Sequence, residues 1–410
     1  MASVVSVNID SIAAGGDGVG RNNGLVVFVP RTAPGDIVTA RISGKGHFAR
    51  GSLNTIVSAS ADRIDPSCEH YTGDRCGGCQ IQHIAYDAQL SAKKLIVGDA
   101  MQRIAKRDAS SLQPVRPSAK QWRYRTKLTL AIRRSGERWI AGLHRYDNPS
   151  QVFALADCPI TERSIVTTWH DIMTESRHFP DAKELRGSVR MTPGGATFVL
   201  YGGRQWRESE DFLDAVPSVR ALWWEPELGE MRLVEDRREE KTPAASFGQV
   251  NPEIAAELQE YLIAKVMSHS PETVVDAYSG LGDTAIALAK SGITVTAIEL
   301  DREASEWSSR RLARPSRALR GRVEDVIGDA LPADVIVTNP PRAGMDAKVA
   351  EFLEANAATT KAILYVSCNP ATLARDLSRL PSYRTESLQP FDMFPQTAHV
   401  ETVCELVPAA

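Results

Sequence analysis

Between residues 273 and 368 the chain repeats one unit: a short apolar run, a loop, and then a helix-like stretch. The runs are Thr273 to Ala277 (TVVDA), Thr294 to Ile298 (TVTAI), Asp334 to Val337 (DVIV) and Ala362 to Val366 (AILYV). Helix-like stretches such as Thr284 to Lys290 and Ala347 to Ala355 separate them. This alternation predicts a doubly wound α/β domain, in which ligands bind just beyond the carboxyl ends of the strands.

A chain of 410 residues is too long for that domain alone. Residues 1 to about 60 carry short strands, among them Gly24 to Pro30 and Asp36 to Ile42. Glycines at 15, 16 and 18 and the Pro34-Gly35 pair punctuate them, which predicts a small β-barrel, either nucleic-acid-binding or a generic β module. The middle, 61–242, reads as mixed α/β, with a helix expected over Ala88 to Lys106 and an exposed turn over Glu235 to Lys241. The last domain is expected over 243–410.

With 43% hydrophobic and 24% charged residues, the chain is neither fibrous nor globally disordered. No apolar run reaches the length of a membrane helix, and MASVVSVNIDSIAAGGDG lacks the basic start and apolar core of a signal peptide. A soluble, cytoplasmic protein without a membrane partner is expected. The net charge of −3 conceals a local excess: Arg116 to Arg138 holds eight Lys or Arg against the single acid Glu137. There RYRTKLTLAIRR alternates basic and less polar positions, so one strand face carries positive charge suited to a phosphate backbone, or is an ordinary solvated face.

Beyond the first run of the α/β domain comes DAYSGLG, whose Gly280 and Gly282 permit a tight turn and close ligand approach. Glu299 ends the next strand, where a carboxylate can accept from both ribose hydroxyls. Asp329, in Gly328-Asp329-Ala330, is expected to read an adenine amine. The dinucleotide fingerprint is incomplete, so these loops predict a smaller adenosine ligand, S-adenosylmethionine (SAM), rather than a nicotinamide cofactor. Asn339-Pro340-Pro341-Arg342 forms a rigid loop whose Asn339 amide can face a bound base; a similar loop serves enzymes that methylate exocyclic amines.

Cys368 follows the last run and precedes a helix expected over Ala371 to Leu380. That is a place for an acidified nucleophile, although a buried structural thiol fits as well. Carbon 5 of uracil is too weak a nucleophile to take a methyl from SAM unaided. A thiolate added at carbon 6 makes an enolate that can, and a base must then remove the carbon 5 proton. Glu401, on a strand expected over His399 to Val403, is placed to serve as that base, whereas His399 and Cys404 read as packing residues. Amine methylation needs no such cysteine. A further cluster, Cys68, Cys76 and Cys79, lies within twelve positions and asks for a metal.

These features together resemble the SAM-dependent RNA 5-methyluridine methyltransferases, in the branch with an N-terminal TRAM domain and an iron-sulfur cluster. The resemblance spans nearly the whole chain, and SFGQVN (246–251), NPPRAGM (339–345), VSCNPATLARDL (366–377) and HVETV (399–403) carry it. It implies a Rossmann-like SAM domain at the C-terminus, an OB-like TRAM barrel at the N-terminus, and a monomer acting on structured RNA, 23S rRNA ahead of tRNA. It also implies a flipped-out target nucleotide. By the same resemblance Cys368 is the nucleophile and Glu401 the base, Gln249 touches cofactor and base, and Tyr278 and Glu299 line the SAM pocket. Cys68, Cys76, Cys79 and Cys158 become ligands of a [4Fe-4S] cluster, with CGGCQIQH (76–83) the strongest match; four thiolates alone fit zinc equally. The chain departs from the family pattern in the long gap between Cys68 and Cys76, in Asn339 where aspartate is common, and in Ser279 where cysteine often stands. N-methylation through the NPP loop and a non-catalytic RNA-binding role are the other readings.

Overall fold

A computed structural model describes residues 3–43, 47–136, 138–192, 194–239, 241, 243 and 248–409. The first five strands, Ser3–Ile12 (β1), Gly18–Asn22 (β2), Leu25–Val29 (β3), Ile37–Ser43 (β4) and Phe48–Ser58 (β5), close a barrel in the order β1-β2-β3-β5-β4. Alternate residues Val7 and Ile9, Val27 and Val29, and Val38 and Ala40 fill it, as the two-residue strand period requires. This is the barrel expected from the glycine punctuation.

The middle of the chain forms a seven-stranded sheet from Lys127–Ser135 (β6), Arg138–His144 (β7), Val152–Ala154 (β8), Glu184–Thr192 (β9), Gly195–Tyr201 (β10), Val219–Glu225 (β11) and Arg232–Asp236 (β12), in the order β12-β11-β10-β9-β6-β7-β8. One face packs Leu128, Leu130 and Ile132 against Trp169, Phe198 and Phe212. The other carries Lys127, Thr129, Ala131 and Arg133, with Arg186 and Arg190 of β9 paired opposite Ala131 and Lys127. The charged face therefore exists, but it starts later than the sequence suggests. Arg123 and Arg125 precede the strand, and Arg123 is spent on the loop before Cys158, donating to Asp157 Oδ1 at 2.8 Å and to the Cys158 carbonyl at 3.2 Å. Glu137 lies outside the described residues. The turn expected over 235–241 is not fully exposed: Arg238 folds back, buried, onto the Asp236 carboxylate.

The third sheet holds Thr273–Ala277 (β13), Thr294–Glu299 (β14), Arg317–Arg320 (β15), Val335–Thr338 (β16), Ala362–Ser367 (β17), Tyr383–Phe391 (β18) and Glu401–Pro408 (β19), in the order β15-β14-β13-β16-β17-β19-β18. Strands β13 to β17 are parallel, and β19 enters antiparallel between β17 and β18. The chain reverses direction across the sheet between β14 and β16, beside β13, and opens the ligand crevice there.

The expected divisions at 60 and 242 hide one exchange. The helix Tyr86–Ala100, continued by a π-helical turn over Met101–Ala105, packs Val97, Ala100 and Met101 into the core of the third sheet. Leu112 and Arg116 then bridge to Leu388 and Phe391 on its edge strand. Among the described residues no helix is long and apolar enough to cross a membrane.

Candidate active site

The loop after β13 is built for close approach. Tyr278, Gly280 and Gly282 have φ of +60°, +56° and +79°, and a Cβ at Gly282 would lie 2.3 Å from Ser308 Oγ. Space beside Gly280 is open. Glu299, at the end of β14, accepts from the Gly280 N–H at 2.8 Å and the Asp301 N–H at 2.7 Å, which leaves carboxylate lone pairs for a ligand. Burial, and next the Glu324 carboxylate, hold the Tyr278 phenol above its usual range. Buried Asp276, raised to about 7 by desolvation, accepts from the Ala285 N–H at 3.1 Å and so anchors the helix Asp283–Lys290 under the loop. Asn339 ends β16, exposed, with its N–H on the Ala277 carbonyl at 3.2 Å.

Asp329 does not join this group. The loop that leaves the carboxyl end of β15 begins at Gly321, and Asp329 sits further on in an exposed 3-10 turn. Its carbonyl accepts from Arg317 at 2.8 Å, and Arg317 opens β15, so Asp329 lies toward the opposite edge of the sheet. Glu324, in the first turn after β15, is the carboxylate whose charge reaches Tyr278.

The last three strands create the reaction cleft. In the antiparallel pairing of β17 with β19, Ser367 lies opposite Thr402. Carried one residue further, the same register sets Cys368 opposite Glu401. Asn369 caps the next helix, Pro370–Leu377, accepting from the Ala371 N–H at 3.1 Å, so Cys368 is held immediately before a helix N-terminus. Glu401 is only 3% exposed, and burial pushes its carboxyl up to about 8 against the opposing pull of Arg342. Burial, and then Glu401, raise the half-buried Cys368 thiol, while the nearby Arg342 guanidinium offsets them. Arg342, in the NPPRAGM loop and without a role from its sequence context, exerts its charge on both Cys368 and Glu401. Cys404 is core packing, as expected, but His399 lines a cavity with Arg342.

The tRNA (uracil-5-)-methyltransferase family model matches residues 309–407, and the TRAM domain model matches residues 2–53. An uncharacterized RNA methyltransferase of Halalkalibacterium halodurans is 30% identical, covering 98% of this chain and 96% of that one. One of Thermosynechococcus vestitus is 31% identical, covering 98% of each. The chain belongs to the RNA (uracil-5-)-methyltransferase family. The crystal structure of Pyrococcus abyssi tRNA (uracil-54, C5)-methyltransferase in complex with S-adenosyl-L-homocysteine shares the fold, with a TM-score of 0.71 and 24% identity over 98% of this chain and 99% of that one.

This RNA methyltransferase is a SAM-dependent enzyme with a TRAM barrel, and two further groups singled out in its sequence remain to be placed. Gln249 is half-buried; Val250 beside it accepts from the Thr126 N–H at 2.9 Å, and Gly248 from Arg190 at 3.3 Å. Ser246 and Phe247 of the same motif lie outside the described residues. Cys68, Cys76, Cys79 and Cys158 are all buried and line one cavity of about 240 Å³, which Arg125, Arg342 and His399 also line. Burial first, and the neighbouring thiols with it, push Cys76 up to about 11 and Cys79 to about 12. Among the described residues no group of three His, Cys, Asp or Glu is arranged to hold a metal ion.

Proposed function

We propose that this enzyme methylates carbon 5 of a uridine in structured RNA through a covalent adduct at Cys368. The observation that carries the reading is the β17–β19 register, which faces Cys368 with Glu401 beside Arg342. The Cys368 thiolate adds to carbon 6 of the flipped uracil, forming a C–S bond and delocalising charge onto carbon 5 and the carbonyl oxygen. SAM, seated by Tyr278, Gly280, Glu299 and Asn339, supplies the methyl group and leaves as S-adenosylhomocysteine. Glu401 then takes the carbon 5 proton, the C–S bond breaks, and the thiolate is restored. Gln249 is assigned, by the family resemblance, to both the cofactor and the target base.

Four buried thiols fit either a cluster or a zinc ion. A tetrahedral ion draws its sulfurs to about 2.3 Å from one centre. All four thiols line one cavity, and the family resemblance is what favours the cluster. A [4Fe-4S] cluster held by Cys68, Cys76, Cys79 and Cys158 would clamp the 68–79 segment to the loop after β8, with no electron required by methyl transfer.

Large-subunit ribosomal RNA is the proposed substrate. Transfer RNA is the second reading, because the Pyrococcus abyssi tRNA (uracil-54, C5)-methyltransferase shares the fold over 98% of this chain. A cytoplasmic monomer is proposed as the working form. Separately supplied unmodified rRNA and tRNA, incubated with the enzyme and methyl-labelled SAM, decide between these readings by nucleoside mass spectrometry. Labelled 5-methyluridine in rRNA is the expected result; label in tRNA alone selects the second reading, and label in a methylated amine overturns the cysteine mechanism.

A further inference from the structure

The hairpin that delivers Glu401 is pinned by a buried charge pair. Strands β18 and β19 are joined by residues 392–400, and their ladder closes with Phe391 opposite Glu401. Asp392, the next residue, is fully buried, and so is Lys93 on the helix Tyr86–Ala100. Lys93 Nζ donates to Asp392 Oδ1 and to the Phe394 carbonyl at 3.0 Å. The Tyr86 hydroxyl donates to Asp392 Oδ2 at 2.8 Å, and the Asp392 N–H reaches the Arg116 carbonyl at 2.9 Å. One helical turn from Tyr86, Gln89 and Gln396 bond reciprocally: Gln89 Nε2 donates to Gln396 Oε1 at 3.0 Å and the Gln396 N–H to Gln89 Oε1 at 3.1 Å.

Burying two opposite charges is a poor way to gain stability, because desolvation consumes most of their attraction. It is an effective way to fix register, since a buried charge tolerates only its partner. Register matters acutely here. Side chains alternate across a strand, so a slip of one residue would turn Glu401 away from Cys368 and present Val400 or Thr402 instead.

We propose that Lys93, through Asp392, is a positioning residue for Glu401, holding the β18–β19 hairpin so that the carboxylate stays opposite Cys368. The proposal rests on the reading of Glu401 as the base. A merely structural pair would lower stability and affinity together, whereas a misplaced base lets addition proceed and stalls elimination.

The test compares full-length wild type, Glu401→Gln, Lys93→Met and the double variant Lys93→Met with Asp392→Leu on one unmodified RNA that the wild type methylates. Turnover, KM for RNA, melting temperature and covalent protein–RNA adduct on denaturing gels are measured. Lys93→Met is expected to keep KM, to lose about a hundredfold in kcat, and to accumulate adduct as Glu401→Gln does. The double variant, free of an unpaired buried charge, is expected to melt no lower than Lys93→Met and still to trap RNA. Wild-type turnover in the double variant overturns the proposal, as does lost turnover without adduct while Glu401→Gln traps it. If Glu401→Gln traps nothing, the base assignment fails and the proposal fails with it.

Discussion

Two groups of thiols lie close together in this molecule and have opposite surroundings. Cys68, Cys76, Cys79 and Cys158 are buried, and each of Cys76 and Cys79 is raised by burial and by its fellow thiols. Cys368 is half-buried at a strand end, with the Arg342 guanidinium opposing the rise that burial and Glu401 impose. The contrast assigns roles that residue type alone leaves open. A nucleophile needs a route to substrate and a cation that favours the thiolate. Ligands need enclosure and one another, and the chamber of Cys68, Cys76, Cys79 and Cys158 offers both, with Arg125 and Arg342 on its wall.

The sharpest way to break this division is to remove one thiol from each group. Cys368→Ala is expected to lower methyl transfer by about 10⁴-fold or more, as removal of a nucleophile does, with SAM binding and melting temperature unchanged. Cys79→Ala is expected to lose iron and to lower stability by roughly 3 kcal/mol through loss of a buried ligand, while the correctly folded fraction still forms the RNA adduct. Iron content, melting temperature and single-turnover transfer on the same preparations separate the two. If Cys368→Ala turns over normally, or Cys79→Ala loses only chemistry, the division is wrong.

The pH dependence sharpens the same contrast. Glu401 is raised to about 8 by burial, so the ionised base becomes more abundant as pH rises toward that value. Single-turnover methyl transfer is expected to climb between pH 6 and 8, with no falling alkaline limb. Stability moves the other way. A carboxyl raised from 4.5 contributes stability that is fully present below about 4.5 and is lost as pH rises through about 8. Glu401→Gln, neutral throughout, is therefore expected to melt above the wild type at pH 9 and to converge with it at low pH.

Much of the third sheet was legible because its inner strands are covered on both faces and read as unbroken apolar runs, as in TVVDA and AILYV. Strand β15 was not. Its four residues, RALR, lie at the sheet edge, half-buried or exposed, and carry no apolar signal. Without it the third cofactor loop was sought at Asp329, whereas the strand ends at Arg320 and its loop presents Glu324. Cys368 and Glu401 could each be named from local pattern, but their juxtaposition depends on β19 inserting between β17 and β18, a matter of topology. Lys93 and Asp392 stand 299 residues apart, beyond the reach of any periodicity. Of the four cysteines, three were found by clustering, and Cys158 by resemblance alone.

The smallest expected effect concerns Asn339, the one cofactor-loop position where the chain departs from its family in charge. Asn339 is exposed at the end of β16, and only its backbone is engaged, through the Ala277 carbonyl. Its side chain is therefore free to meet a bound molecule, and the amide oxygen already offers an acceptor. Replacing it with aspartate exchanges a neutral hydrogen bond for a charge-assisted one, worth about 1 kcal/mol more, or roughly fivefold. Asn339→Asp is expected to raise kcat/KM by that factor without moving iron content or melting temperature. Because the loop also carries Arg342, the added carboxylate has a second possible partner. A fall in kcat/KM, with slower alkylation of Cys368 by iodoacetamide, would show the new charge pairing with Arg342 and weakening its hold on the thiolate. In that case the asparagine preserves the cation on which the contrast between the two thiol groups depends.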